Sequence, residues 1–213
     1  MKKVFIISTV LISAVFFYSC KKDNVIAPVV LETKTVSNLQ ADTIIGLTAQ
    51  GQPYGSGKFT FYSLENNKVI DNADSATAKW DIGLRGTTII INSGTGGPGA
   101  GGAFVYTGTF ADLTKISVDS VFRTDNAPTS YAIKTGSGNG WYSYNGATNL
   151  ITPIPGRILV IRTASGKYAK VEIQNYYKGG VTPDATASDN EKLSKQRYYT
   201  FRYLYQPDGS KKF

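Results

Sequence analysis

The residues predict a single all-β domain built from many short antiparallel strands with little helix. Short apolar or β-branched runs alternate with turn residues along most of the chain, which is the pattern of a sheet-rich fold. The sequence contains 22 glycines and 14 tyrosines among its 213 residues, and these residues favour turns and strands. No amphipathic helical pattern extends beyond about two turns. The length suits one large all-β domain, and 41% hydrophobic with 18% charged residues is typical of a globular chain.

Ten runs predict the strands, and they are, in chain order, 29–33, 59–64, 80–84, 87–91, 103–106, 131–133, 141–144, 157–163, 168–174 and 198–205. Period-two alternation places Trp80, Ile82 and Leu84 on one face of their strand. Only two stretches favour a helix. The segment 110–116 has room for one turn, and Ser188–Glu191 has the spacing of a capping box.

Two pairs of these runs predict hairpins. The runs 131–133 and 141–144 flank a glycine-rich turn. The runs 157–163 and 168–174 flank a turn at 164–167, which is the clearest hairpin signal in the chain.

The first twenty residues have the pattern of a bacterial lipoprotein signal. A basic start is followed by an apolar run at 4–18, shorter than the roughly 20 residues of a membrane span. Ser19 and Cys20 come next, and a cysteine at this position can accept the lipid chains that anchor an exported protein. An ordinary signal peptide with an incidental cysteine is the alternative. The expected division is a signal peptide at 1–19, a lipid anchor and flexible tether at 20–28, and the all-β domain at 29–213.

Composition excludes several classes of enzyme and metal site. The chain has no histidine, so no serine–histidine or cysteine–histidine catalytic set, HExxH zinc protease or imidazole-ligated metal centre can form. Cys20 is the only cysteine, which excludes an internal disulfide and a cysteine-ligated metal site. The 15 acidic residues are scattered. The segment 71–74 lacks the ligand spacing of a calcium loop, so a solvated turn is expected there. Paired carboxylates of a glycoside hydrolase meet only in space and are left open.

The formal net charge is +8, and much of the basic excess lies near the C-terminus, at Lys192, Lys195, Arg197, Lys211 and Lys212. An exported protein rarely meets nucleic acid, so we expect no nucleic-acid partner. Attraction to an anionic surface or ligand and a simple solvated basic face are the two remaining interpretations.

A glycine-rich segment, Gly94–Gly99, matches the G-x-G-x-x-G pattern of dinucleotide-binding loops. Such a loop must open a helix, whose amides hold the pyrophosphate. Here Pro98 and further glycines lead into another strand instead. We therefore expect a flexible connection between two strands.

Aromatic residues are concentrated between positions 131 and 144, with two cations nearby. The aromatic residues are Tyr131, Trp141, Tyr142 and Tyr144, and the cations are Arg123 and Lys134. Rings on glycine-flanked hairpins can form a flat apolar slot with cationic rims, which suits planar anionic ligands and equally glycans. The alternative is that about half of these rings are ordinary sheet packing.

Three sequence blocks together resemble the HmuY family. They are 80–83 with 90–94 and 101–103; 157–163 with 167–173; and 199–203 with 206–209. They occur in family order and span about residues 57–209. The resemblance implies a Bacteroidetes cell-surface lipoprotein at the outer membrane and an all-β fold whose finger-like hairpins grip haem. It also implies a binding protein rather than an enzyme, a haemophore that takes haem from a host carrier and passes it to an outer-membrane receptor.

Family members hold haem iron through histidine or methionine, and the only methionine here is Met1. No ligand is therefore carried over by the resemblance. Tyrosinate can ligate ferric haem, so Tyr131, Tyr142 or Tyr144 is the expected ligand, with Arg123 lowering the tyrosine pKa from about 10. Haem or another porphyrin could also bind without a protein ligand. A surface interaction or glycan-binding module on the same scaffold is the alternative function.

Overall fold

The computed structural model describes residues 30–213. The predicted signal peptide, Cys20 and the tether at 20–28 lie outside the described residues. The all-β prediction is confirmed, since 41% of the described residues are in strands and 7% are in helices.

The described chain contains thirteen strands and one α-helix, which are, in order, β1 (Thr33–Gln40), β2 (Gly46–Leu47), β3 (Pro53–Tyr54), β4 (Thr60–Ser63), β5 (Lys68–Ile70), β6 (Ile82–Arg85), β7 (Thr88–Ile91), β8 (Gly102–Thr107), β9 (Tyr142–Asn145), β10 (Leu150–Pro153), β11 (Arg157–Arg162), β12 (Tyr168–Tyr177), α1 (Asp189–Lys195) and β13 (Gln196–Gln206). The larger sheet has five antiparallel strands in the order β1-β13-β12-β11-β8. A second sheet has the order β5-β4-β6-β7. The pairs β9-β10 and β2-β3 form separate two-stranded hairpins.

The main core lies between the two larger sheets. Side chains at alternate positions of β6 and β7, such as Ile82 and Ile91, join side chains of β11 and β13, such as Ile161 and Phe201, in one buried cluster. Strands expose side chains to alternate faces, so each sheet contributes every second residue. This burial accounts for the β-branched and aromatic composition of the strands.

The opposite face of the five-stranded sheet is covered by the segment 110–116. Phe110, Leu113 and Ile116 pack against β11 residues of a second buried cluster. The ammonium of Lys170, on β12, donates to the carbonyl oxygens of Phe110 (2.7 Å) and Leu113 (2.9 Å) and holds the segment in place. The predicted helical turn at 110–116 is wrong, because the segment is irregular and its shape is set by these contacts.

Several local predictions are confirmed. The strands β11 and β12 form the predicted hairpin, closed by the N–H of Thr163 donating to the carbonyl of Lys167 at 2.8 Å. The helix α1 begins where the capping-box spacing indicates, with Ser188 Oγ accepting from the N–H of Glu191 at 3.2 Å. A short turn of 3₁₀-helix occupies Asn72–Asp74, in the place of the expected solvated turn.

Three other predictions are wrong. The first strand of residues 30–213 begins at Thr33, so residues 30–32 of the predicted run are not strand, and residue 29 lies outside the described residues. Trp80 precedes β6 and packs against Phe61 in a third cluster, away from Ile82. The run 131–133 forms no strand, and β9 pairs with β10 instead.

The glycine-rich segment connects β7 to β8, as expected, and several of its glycines lie close to neighbouring atoms. The side chain of Asn92, which is 0% exposed, donates to the carbonyls of Thr77 (2.9 Å) and Trp80 (2.7 Å) and accepts from the N–H of Gly99 (2.8 Å). A Cβ atom on Gly97 would lie 2.7 Å from Cζ2 of Trp80, and one on Gly99 would lie 2.8 Å from the carbonyl of Asn92. The glycines are therefore required by close packing.

Candidate functional site

A surface cleft of about 790 Å³ is formed by the segment 122–139. This volume falls within the range of known small-molecule sites. The lining side chains are contributed almost without interruption by this one segment, at Phe122, Arg123, Thr124, Asn126, Pro128, Thr129, Ser130, Tyr131, Lys134, Thr135 and Asn139. We call 122–139 the cleft segment.

The cleft segment starts as an extension of the five-stranded sheet. Arg123 pairs with Ala103 of β8 through two backbone hydrogen bonds, of 2.8 and 2.9 Å. Asn126 and Ser130 then exchange two backbone hydrogen bonds of 2.9 Å each, which closes a turn containing the cis Ala127–Pro128 peptide. The sheet therefore fixes the position of the first residues of the cleft segment, and most of the remaining segment has no regular secondary structure.

Asp125 fastens the cleft segment to the core. Its carboxylate is 2% exposed and accepts from the N–H groups of Ile91 (2.7 Å) and Ala132 (2.8 Å), one to each oxygen. Burial raises the pKa of the Asp125 carboxyl above its usual value, and the two N–H donors offset this only in part. Asp125 therefore positions the turn that carries Tyr131.

The far end of the cleft segment is anchored by buried residues. Ile133 is in the main core, and Gly140 approaches the carbonyl of Lys134 too closely to accept a side chain. Trp141 is 1% exposed and its indole N–H donates to the carbonyl of Thr87 at 2.9 Å. Both ends of the cleft segment are therefore held by contacts with the core, while the rim of the cleft faces solvent.

The structure does not bring the four predicted aromatic residues together in one slot. Tyr131 and Arg123 line the cleft. Trp141 packs on Tyr142 in the main core, with ring centroids 5.0 Å apart, so these two rings are sheet packing. Tyr144 is 49% exposed on β9, where its hydroxyl donates to Asn149 Oδ1 at 2.6 Å. The ligand-binding role of Tyr131 and Arg123 stays a prediction.

A second cleft of about 280 Å³ adjoins the first, and sequence reasoning missed it. The two clefts share Arg123, Lys134 and Asn139, and the second adds Arg157 at the start of β11. We call the pair of clefts the cationic groove. Arg157 is distant in sequence and reaches the groove because β11 pairs with β8. No local pattern in the sequence could have indicated this neighbour.

The cations of the groove have no acidic partner within the described chain. The four ion pairs found in residues 30–213 involve other side chains. No acidic side chain lines either cleft. The neutral residues of the larger cleft are mostly hydroxyl and amide side chains, and those of the smaller cleft are mostly apolar. The groove can therefore bind an anionic ligand and hydrogen-bond its neutral polar groups.

Within residues 30–213, no three acidic, cysteine or histidine side chains lie close enough together to hold a metal ion. Within the same residues, no helix has the length and hydrophobicity needed to cross a bilayer.

The solved structures to which the chain is similar include three from Bacteroidetes. They are a protein named HmuY-like and haem-binding from Bacteroides vulgatus (16% identity, TM-score 0.47, covering 81% of this chain and 90% of that one), a protein named a lipoprotein from Bacteroides fragilis (14%, 0.47, 82% and 90%) and the apo form of an HmuY analogue from Tannerella forsythia (15%, 0.43, 84% and 96%). No curated protein matches the sequence.

The sequence also matches a family model, that of the HmuY protein, over residues 56–189. The matched segment contains β4 to β12 and the whole cleft segment. This agrees with the resemblance of the three sequence blocks. Since the match covers more than half of the 213 residues, the chain belongs to the HmuY family.

Proposed function

We propose that the protein binds haem, or another porphyrin, in the cleft formed by residues 122–139 and carries it as cargo for iron or haem acquisition. Membership of the HmuY family supports a haem-binding role. The observation that carries the proposal for this chain is that Tyr131 and Arg123 line one cleft of about 790 Å³. A phenol and a guanidinium in one cavity supply an oxygen ligand for ferric iron and a partner for a carboxylate.

Tyr131 is the tyrosine that best fits the iron. Its ring is half-buried against the cluster containing Trp80 and lines the cleft. The hydroxyl of Tyr142 is close to Thr87 Oγ1 (3.3 Å) beside the main core, and that of Tyr144 is engaged by Asn149. Neither Tyr142 nor Tyr144 lines the cleft.

The proposal is tested by titrating the purified protein with ferric haem and following the Soret band. We expect the wild type to shift the band and to show the absorption of a phenolate-ligated ferric haem. Tyr131→Phe removes the ligand oxygen, and we expect it to weaken ferric haem binding by roughly tenfold, as the loss of one good contact of about 1.4 kcal/mol would. Metal-free protoporphyrin has no iron, so its affinity is expected to stay unchanged in this variant.

Tyr144→Phe is the matched control, since Tyr144 lies outside the cleft and its hydroxyl donates to Asn149 in the turn between β9 and β10. It is expected to keep the wild-type spectrum. A wild-type Soret band that does not respond to ferric or ferrous haem would contradict axial ligation. An unaltered spectrum in Tyr131→Phe would remove Tyr131 as the ligand.

A glycan-binding or surface-interaction role is a second candidate, and the lining of the cleft supports it. Six hydroxyl or amide side chains line the cleft, at Thr124, Asn126, Thr129, Ser130, Thr135 and Asn139. Such groups can hydrogen-bond sugar hydroxyls, and Tyr131 offers a ring for stacking on a sugar face. Binding of a neutral oligosaccharide that haem does not displace would favour this role over porphyrin transport.

We also propose that Cys20 carries a lipid that anchors the domain at 29–213 to the outer membrane, facing the cell exterior. In this arrangement the tether at 20–28 lets the cleft reach a host haem carrier and an outer-membrane receptor. Support comes from the signal pattern at 1–19 and the single cysteine that follows it. Cys20→Ser is expected to move the protein from the membrane fraction to the soluble fraction, as measured by cell fractionation. A variant that stays with the membrane would contradict lipid anchoring at this residue.

A further inference from the structure

The cationic groove places three cations around two joined clefts. Arg123 and Lys134 lie where the clefts meet, and Arg157 lines the smaller cleft only. The three residues come from two different parts of the chain, so the grouping is produced by the fold. Neither cleft has an acidic residue in its lining.

Sheet pairing fixes the separation of the two arginines. Arg123 pairs with Ala103 near the start of β8, and Arg157 pairs with Thr107 at the end of β8. Four residues along β8 correspond to roughly 13 Å, at about 3.3 Å per residue. The two arginines also lie on opposite sides of β8, which adds roughly 10 Å across the sheet, so their Cα atoms are roughly 16 Å apart. Two arginine side chains that start so far apart, both lining the smaller cleft, are better placed to hold two separate anionic groups than a single one.

Charge also points to an anionic ligand. Like charges grouped without counter-charges raise the energy of the empty site, and this repulsion is relieved when an anion binds. The ion pairs of residues 30–213 leave Arg123, Lys134 and Arg157 unpaired. Guanidinium groups in particular match carboxylates, because their planar N–H donors can bind both oxygens.

We propose that the cationic groove recognises a ligand that carries two carboxylates, one held by Arg123 and Lys134 and the other by Arg157. This inference rests on the proposed function in one respect, that the cleft is a ligand site. Porphyrin propionates and the acid groups of an acidic oligosaccharide share this chemistry. Porphyrin is the source favoured by the proposed function, and the experiment separates the two.

The experiment compares protoporphyrin IX with its dimethyl ester, which has the same ring without the two negative charges. Binding to the purified protein is followed by porphyrin fluorescence. We expect the ester to bind roughly tenfold more weakly than the diacid. Lys134→Gln and Arg157→Gln are each expected to weaken binding of the diacid by roughly three- to tenfold, the effect of a partly exposed charge pair, and to leave the ester unchanged. Lys68→Gln, an exposed lysine on β5 outside the groove, is the control and should alter neither affinity.

A second arm uses a galacturonic acid trisaccharide and the neutral trisaccharide maltotriose. If neither porphyrin binds but the acidic trisaccharide does, and Arg157→Gln weakens it, the dicarboxylate inference stands and porphyrin binding fails. If both porphyrins bind equally and the variants change nothing, the inference is overturned while porphyrin binding stands. If no acidic probe binds, the inference is also overturned. Thermal unfolding of each variant shows whether a loss of binding reflects loss of the fold.

Discussion

Asp125→Asn is expected to lower the free energy of unfolding by about 2–3 kcal/mol, because an amide can accept only one of the two N–H groups that the carboxylate now accepts. The amide NH₂ would face the N–H of Ile91 or of Ala132, both of which are buried. A loss of this size corresponds to a fall in melting temperature of roughly 4–12 °C for a domain of this length. Urea unfolding followed by tryptophan fluorescence measures the change.

The same variant is expected to weaken ligand binding in the cleft even where it is fully folded, since Asp125 fixes the start of the turn that leads to Tyr131. Asp119→Asn is the matched control, because Asp119 is exposed and lies just before the cleft segment. It is expected to change stability by less than about 0.5 kcal/mol. Equal stability of Asp125→Asn and wild type would show that the two N–H contacts do not hold the cleft segment in solution.

The pH dependence of this difference provides a second measurement. Burial raises the pKa of Asp125 in the folded chain. A carboxyl whose folded pKa is raised contributes stability that is fully present below its unfolded pKa of about 4 and is lost as the pH rises through the folded pKa. The stability difference between wild type and Asp125→Asn is therefore expected to be larger at pH 4 than at pH 7. A difference that grows with pH would contradict the raised pKa.

Trp141→Ala is expected to destabilise the protein by about 3–5 kcal/mol, the usual range for removing a buried tryptophan. The indole is 1% exposed and contacts the rings of Tyr142, Tyr176 and Tyr199, with centroids 5.0 to 5.6 Å apart. Its removal leaves a cavity beside these rings and leaves the carbonyl of Thr87 without its indole donor. Chemical unfolding of the purified variant gives the loss directly.

Tyr144→Ala is the control for this prediction. Both residues are aromatic and only three positions apart, but Tyr144 is exposed, so its truncation is expected to cost well under about 1 kcal/mol. Trp141→Phe, which keeps most of the ring volume, should lose stability and still bind porphyrin under folding conditions. If Trp141→Phe folded normally but lost porphyrin binding, Trp141 would be a ligand contact rather than a packing residue.

The strands and hairpins that depend on local chemistry could be predicted from the sequence. The β11–β12 hairpin follows from two apolar runs around a short turn, and α1 follows from the spacing of Ser188 and Glu191. These signals are local, because the residues that contact each other in the cap and in the turn are only three or four positions apart in the sequence. The resemblance to the HmuY family, carried by strand blocks, was also available from the sequence and is confirmed by the family match.

The site was predicted only in part, because its shape depends on contacts between distant residues. Tyr131 lines the cleft because Asp125 holds its turn through hydrogen bonds from Ile91 and Ala132, and Arg123 lines it because its backbone pairs with Ala103 of β8. Nearness in sequence was misleading for Trp141, whose large apolar ring lies in the core. Arg157 joins the groove through sheet register, which a single sequence does not reveal.

The packed glycine connection between β7 and β8 has a practical consequence for labelling this protein. A glycine-rich stretch invites the insertion of an affinity tag or a fluorescent reporter, yet at Gly97 even a methyl group would meet Trp80. The turn between β9 and β10 is the better insertion point, because Gly146 and Ala147 are exposed and a Cβ on Gly146 comes no closer than 3.8 Å to another atom. A reporter placed there would leave the glycine packing intact and lie outside the residues that line the cationic groove.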